Sequence, residues 1–171
     1  MRRVEVCSYH NKWPSMFAAE AEQLKQIFGA ELTAIYHIGS TSVPGLQAKP
    51  IIDIMPIVKK LEIIDTYNDQ MQEIGYTPKG ENGIPQRRYF QKGDDNRSHH
   101  VHIYQKGSHQ ITRHLAFREY LRQHPDERNR YGQLKVKLAD QFPYDISSYI
   151  DGKGNLVKEI EAKALEWYKD F

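Results

Sequence analysis

Apolar positions recur along this chain with two periods, and the change between them marks the elements. Phe17, Ala21, Leu24 and Phe28 step by four, three and four and predict a helix over residues 14–28. Pro14 suits its first turn and Gly29 its stop. A short run rich in Ile and Tyr, residues 33–38, then reads as a strand. IIDIMPIV, residues 51–58, is nearly all apolar and suits a strand covered on both faces. Ile64, Tyr67, Met71 and Ile74 step three, four and three, a helical face ending at Gly75. Residues 87–91 and 99–104 are further strands, and the GDDN turn between them reads as a hairpin connection.

After Gly107 the period becomes helical throughout. Residues 109–124, 126–141 and 154–169 are predicted helices, with Ser108 capping the first and Asp126 in the opening turn of the second. Leu156, Ile160, Ala164 and Trp167 form the stripe of the last. The order is helix, strand, strand, helix, two strands, three helices. That is an α+β or mixed α/β fold, a small mixed sheet covered by helices, with a helical C-terminal half. The 171 residues carry no repeat, no low-complexity stretch and no linker, so a single domain over residues 1–171 is expected.

Composition narrows the function classes. Lys+Arg 24 against Asp+Glu 22 leaves a net charge of +2, too small for a polybasic nucleic-acid binder. No apolar run reaches the roughly 18 residues that a membrane span needs. The N-terminal MRRVEVCSYHNKW has positive residues without an apolar run behind them, so a signal peptide is not expected. One cysteine, Cys7, cannot close an internal disulfide, and a cytoplasmic location is the expectation. Neither a membrane nor a nucleic acid is the expected partner. The oligomeric state is not legible.

Candidate chemistry begins at IGSTSVPGLQAKPIIDIMPIV. A strand ends at Ile38, Gly39 turns the chain, and Ser40, Thr41 and Ser42 offer three hydroxyls beside backbone N–H groups. Such a turn can hold phosphate oxygens. It is no Walker A loop, because Leu46 and Gln47 follow Gly45 and Lys49 comes later. A plain polar turn is the alternative. Asp53 stands among apolar neighbours, where a carboxylate is costly unless it is paired or binds a metal. Period two puts Asp53 on one face with Ile51 and Met55. A second acid at 55 would make a Mg²⁺ site, but the residue is Met. A structural ion pair with Lys49 or Arg88 is the alternative reading of Asp53.

In SHHVHI, His100 and His102 fall on one side of a strand. With Asp53 they make two imidazoles and a carboxylate, a ligand type that suits a divalent metal. The imidazoles can equally bind a phosphate oxygen or move a proton. In ENGIPQRRYF, Arg87 and Arg88 must point to opposite faces, so one can face a site and bind phosphate or carboxylate. Arg97 is a further candidate, and a solvated basic edge is the alternative.

HIGSTSVPGLQAKPIIDI, ENGIPQRRYF, HHVHIY followed by Gly-Ser, and FREYLRQHP with the later LADQFP together resemble the GrpB family, from about Val4 to the C-terminus. The resemblance implies a nucleotidyltransferase-like fold and a domain also found fused to dephospho-CoA kinase. In that superfamily a strand leads to Gly-Ser, a second strand carries two acids one residue apart, and a later strand carries a third. Gly39 and Ser40 match the first element and Asp53 the first acid. Met55 replaces the second acid, and His100 and His102 stand where the third is expected. The resemblance implies that a nucleotide or other phosphorylated small molecule binds at Gly39, Ser40, Thr41 and Ser42, aided by Lys49, Arg87 and Arg88. It also implies Asp53, His100 and His102 as catalytic or metal-holding residues, with Mg²⁺, Mn²⁺ or Zn²⁺ as the metal. Nucleotidyl transfer to an acceptor hydroxyl or amine is the leading expectation. The alternatives are an inactive ligand-binding or protein-interaction module of the same fold, favoured by Met55, and a metal-dependent enzyme of another type.

Overall fold

The structure is a computed structural model and describes residues 3–170. Five strands form one mixed sheet: β1 (Leu32–Ile38), β2 (Ile52–Val58), β3 (Tyr76–Pro78), β4 (Arg87–Lys92) and β5 (His99–Gln105), in the order β1-β2-β5-β4-β3. The central pair β2 and β5 is parallel, and the other three pairings are antiparallel. Helix α1 (Trp13–Phe28) precedes the sheet, and the short α2 (Asn68–Glu73) lies between β2 and β3. Helices α3 (His109–Gln123), α4 (Pro125–Gln141) and α5 (Ile146–Tyr168) follow it. The mixed sheet and the helical C-terminal half are those expected from the sequence.

The chain divides into two compact units. One comprises Lys12–Ile38 and Ile51–Ile111; the other comprises the segment up to Asn11, Gly39–Pro50 and the chain from Thr112 onward. In the sheet unit, Ile52, Ile54, Val58, Phe90, Val101 and Ile103 are buried. The register puts Ile54 beside Val101, and Val101 beside Phe90, so these side chains share one face. Helix α1 packs on that face. Its Phe17 stacks on His37 of β1 at 5.0 Å between ring centroids, and its buried Leu24 and Phe28 complete the apolar stripe. Each fully buried Ile or Leu contributes roughly 1.5–3 kcal/mol.

One acid interrupts this layer. Glu20 lies on the buried stripe of α1, three residues after Phe17. Its Oε1 accepts from the Tyr76 hydroxyl at 2.8 Å and from Lys92 Nζ at 2.8 Å. His99 Nε2 stands 3.9 Å from its Oε2. The carboxylate thus ties α1 to β3, β4 and β5, and its buried charge is matched. Burial first, then the nearby charges of Lys92 and His100, pushes the His99 pKa below its usual value, against the opposing pull of Glu20.

The second unit is helical. Val43 and Leu46 of the 39–50 segment pack with Ala116, Tyr120 and Leu121 of α3, Tyr131 of α4, and Leu156, Ile160 and Ala164 of α5. Cys7 and Ala48 exchange two backbone hydrogen bonds, 2.9 and 3.0 Å, as a single antiparallel bridge.

Three elements differ from the sequence expectation. Helix α5 starts at Ile146, eight residues before 154. Asp145 caps it, accepting from Ser148 N at 3.1 Å, and Gly152 and Gly154 are carried within a helix whose packing outweighs their low propensity. The expected helical face over 64–74 opens as a 3-10 turn, Leu61–Tyr67, before α2. The three-residue edge strand β3 ends on Pro78, which carries no strand signal. The GDDN hairpin is present: Arg87 opposes Tyr104, and Lys92 opposes His99.

Two outcomes follow for the sheet unit. Glu20→Ala removes the acceptor shared by Lys92 and Tyr76, and denaturant unfolding is expected to show a loss of about 3 kcal/mol; a loss under about 1 kcal/mol contradicts the role given to this carboxylate. His99, with its folded pKa depressed, is protonated first in the unfolded chain. Stability is therefore expected to fall as pH drops below about 6.5, the usual imidazole value. A His99→Gln variant, compared with the native chain over pH 5–8, loses that part of the slope.

Candidate functional site

The face of the sheet opposite α1 carries the first candidate centre. Parallel pairing puts Asp53 of β2 beside His100 of β5, and the antiparallel β4 puts Tyr89 beside His102. Strand pairing and alternation then bring Asp53, His100, His102 and Tyr89 to one face; the two-residue period predicts this for the two histidines. His102 Nε2 lies 3.0 Å from Asp53 Oδ1, and His100 Nδ1 lies 3.5 Å from the same oxygen. The Tyr89 ring closes the group, with centroids 5.6 Å from His100 and 5.2 Å from His102. Burial alone would lift the Asp53 pKa. Hydrogen bonds from His100 and His102 outweigh it and hold the carboxyl well below its usual range, so Asp53 is an ionised group.

Arg87 belongs to the same centre. It is buried, its Nη1 lies 3.3 Å from His102 Nδ1, and its guanidinium carbon sits 4.7 Å above the Tyr89 ring. Arg88 points to the other face and pairs with Asp65 at 2.8 Å. The division of the two arginines between faces is therefore as expected, and Arg88 is no ion partner of Asp53. Arg97 stays in the hairpin turn, donating to Asp94 O at 3.3 Å. Met55 is fully buried opposite Tyr36, in line with Asp53, so the position of a second acid is occupied by an apolar side chain.

One ligand atom from each of Asp53, His100 and His102 lies within 4.8 Å of the others. One oxygen and two imidazole nitrogens suit Zn²⁺ or Mn²⁺ better than Mg²⁺. An imidazole that binds a metal through one nitrogen donates its other N–H to an acceptor. Here the outer nitrogen of His102 faces a guanidinium, which only donates, and His100 Nε2 is buried with no hydrogen-bond partner.

The second candidate centre is the turn at Gly39, in the helical unit. Gly39 has φ 73° and ψ −172°, a backbone region essentially open to glycine alone. The following 3-10 turn, Ser40–Ser42, is closed from within: Ser42 donates to Gly39 O through both its hydroxyl and its N–H. Thr41 is buried. Ser40 Oγ accepts from Lys135 Nζ of α4 at 2.7 Å. Lys135 is 2 % exposed, and its ammonium lies 4.6 Å from the Tyr131 ring centroid. Arg122 braces Ser42 O at 3.0 Å, and Arg128 braces Pro44 O at 3.3 Å. Lys49 lies over the Tyr149 ring, 5.4 Å from its centroid.

Lys135, Arg122 and Arg128 at the turn, and Glu20 in the sheet unit, escaped the sequence reading. Lys135 sits four residues after Tyr131 and three before Leu138, on the buried stripe of α4. Glu20 occupies the equivalent position on α1. A charged residue at an apolar repeat position was the available signal in both.

The sequence pattern described as GrpB protein matches residues 3–163. UPF0157 protein YqkA of Bacillus subtilis (strain 168) is 51% identical over 168 residues, covering 98% of this chain and 49% of that protein, so the chain spans about half its length. A dephospho-CoA kinase of Mycolicibacterium paratuberculosis is 24% identical over 182 residues, covering 91% of this chain and 44% of the kinase. The crystal structure of conserved protein GrpB from Enterococcus faecalis superposes with a TM-score of 0.93 at 45% identity, covering 96% of this chain and 99% of that one. Cid1 poly(U) polymerase, in a structure with MgGTP bound, superposes at 0.53 with 13% identity over 77% of this chain and 43% of its own. That likeness extends to the nucleotidyltransferase fold. With the GrpB pattern matched over residues 3–163 and more than nine-tenths of its length aligned with YqkA and with GrpB of Enterococcus faecalis, the chain belongs to the GrpB family.

Proposed function

We propose that the chain binds a phosphorylated small molecule of the nucleotide class at the turn formed by Gly39, Ser40, Thr41 and Ser42. The observation that carries this reading is the contact of Lys135 with Ser40. An ammonium can only donate, so Ser40 Oγ is the acceptor, and its own proton is directed to a second acceptor. A hydroxyl held in this way suits an anionic oxygen. Lys135, Arg122 and Arg128 surround the same segment with positive charge, and charge-assisted hydrogen bonds to phosphate are the stronger kind. Gly39 brings the backbone close without a side chain in front of it. The fold shared with Cid1, whose structure holds MgGTP, supports a nucleotide among phosphorylated compounds, and the kinase relatives bring coenzyme A precursors into the same range.

Two-metal transfer is poorly supported, because it needs carboxylates on both metals and Met55 removes one of them. Nucleotidyl transfer is the second reading, with ionised Asp53 accepting a hydrogen bond from the attacking hydroxyl or amine and orienting it; a carboxyl held so far below its usual range is a weak base.

The test is a thermal-shift panel of nucleoside triphosphates, dephospho-CoA and inorganic phosphate, with and without Mg²⁺, Mn²⁺ or Zn²⁺. At 100 times its dissociation constant a ligand adds about 2.7 kcal/mol. Ser40→Ala and Lys135→Met are each expected to weaken binding by about 1–3 kcal/mol. A panel without any shift, or a shift indifferent to both variants, ends the proposal. Pyrophosphate release matched by nucleotidylation of an added hydroxyl or amine acceptor, both lost in Asp53→Asn, establishes transfer, and binding without release makes the chain a ligand-binding module.

A further inference from the structure

We infer that Arg87 holds His102 as the Nε2–H tautomer and thereby keeps Asp53, His100 and His102 a metal-free, hydrogen-bonded acceptor centre. The guanidinium has no freedom to turn away. Its Nε donates to Glu81 O at 3.2 Å and its Nη2 to Asn82 O at 3.0 Å, while Nη1 meets His102. The loop that supplies these carbonyls is strained for the purpose. Asn82 and Gln86 have φ 47° and 65°, and Glu81 fastens the loop by accepting from Gln86 N at 2.7 Å.

A guanidinium carries five donors and no acceptor. His102 Nδ1 therefore offers its lone pair to Arg87, and the ring proton sits on Nε2, donating to Asp53 Oδ1 at 3.0 Å. To ligate a cation through Nε2, His102 would have to move that proton to Nδ1, where two donors would meet at 3.3 Å. His100 repeats the problem. With Nδ1 toward Asp53, its Nε2 has no hydrogen-bond partner, so an Nδ1-bound metal would leave a buried N–H unsatisfied. His100 Nε2 lacks the outer acceptor that normally orients a metal-bound ring, and His102 Nδ1 faces a donor. Both histidines address Oδ1 of Asp53. Arg87 is a positioning residue here, acting through His102. The inference stands whether or not a phosphorylated ligand binds at Ser40.

Nitrogen-15 spectra of the imidazoles in the full native chain test the tautomer directly. The expected result is a protonated Nε2 and a bare Nδ1 on His102; a protonated Nδ1 overturns the inference. Zinc titration by calorimetry is the second arm. The native chain is expected to show no zinc site that depends on His102, and Arg87→Lys, which keeps a donor at this place, behaves alike. Arg87→Gln supplies an oxygen that accepts from Nδ1–H and is expected to raise zinc affinity by at least about tenfold, an increase lost again when His102→Ala is added. A one-to-one zinc site in the native chain that His102→Ala removes overturns the inference, as does a folded Arg87→Gln chain with no gain. Should Arg87→Gln fail to fold, the tautomer measured in the native chain decides.

Discussion

Parallel pairing of β2 with β5 is the constraint on which the sheet unit rests. It puts Asp53 beside His100 and, on the other face, Ile54 beside Val101. A one-residue slip would turn every side chain over and put the carboxylate under α1. The apolar face and the polar centre therefore fix one another. The two antiparallel neighbours, β1 and β4, extend the same alternation. They bring Tyr36 beside Met55 and Tyr89 beside His102.

The two candidate centres use opposite hydrogen-bond logic. At Ser40 a buried ammonium leaves the hydroxyl as a donor, which suits an anion. At Asp53 an arginine sets a histidine as donor to the carboxylate, so the charge that remains is negative and accepts. In both, a residue that can only donate settles the proton of its neighbour, and that settles what kind of group the neighbour can meet. Each centre is contained in one compact unit.

Much of this was legible in the sequence. The period-two alternation of HHVHIY is enough to put His100 and His102 on one face, and the adjacent arginines had to separate, whereas the meeting of the histidines with Asp53 depends on the register of β2 against β5. Strands buried on both sides and a hairpin at GDDN leave strong local signals. Longer-range facts left weak ones. The partner of His102 depends on which strand lies beside β5, and no local pattern states that Tyr89 rather than another residue opposes it. Ser42 offered a hydroxyl in the sequence, yet the turn consumes it internally at Gly39 O. Lys135 reaches Ser40 across 95 residues of chain, a distance at which periodicity says nothing about contact. The start of α5 was hidden because two glycines and two serines argue against a helix that packing nevertheless sustains.

The helical unit is assembled from three stretches that are far apart along the chain. Its core residues Val43 and Leu46 emerge early in synthesis, while the faces that cover them on α4 and α5 emerge last. During translation the 39–50 segment must therefore wait, apolar and incompletely covered, until α4 and α5 have left the ribosome. Long-range contacts of this kind slow folding, because loop closure precedes any gain from packing. The sheet unit is complete by Ile111 and can form first, and the turn at Gly39 acquires its lysine only when the last two helices close. The contact of Lys135 with Ser40 is thus a late property of the growing chain, and the Asp53 centre an early one.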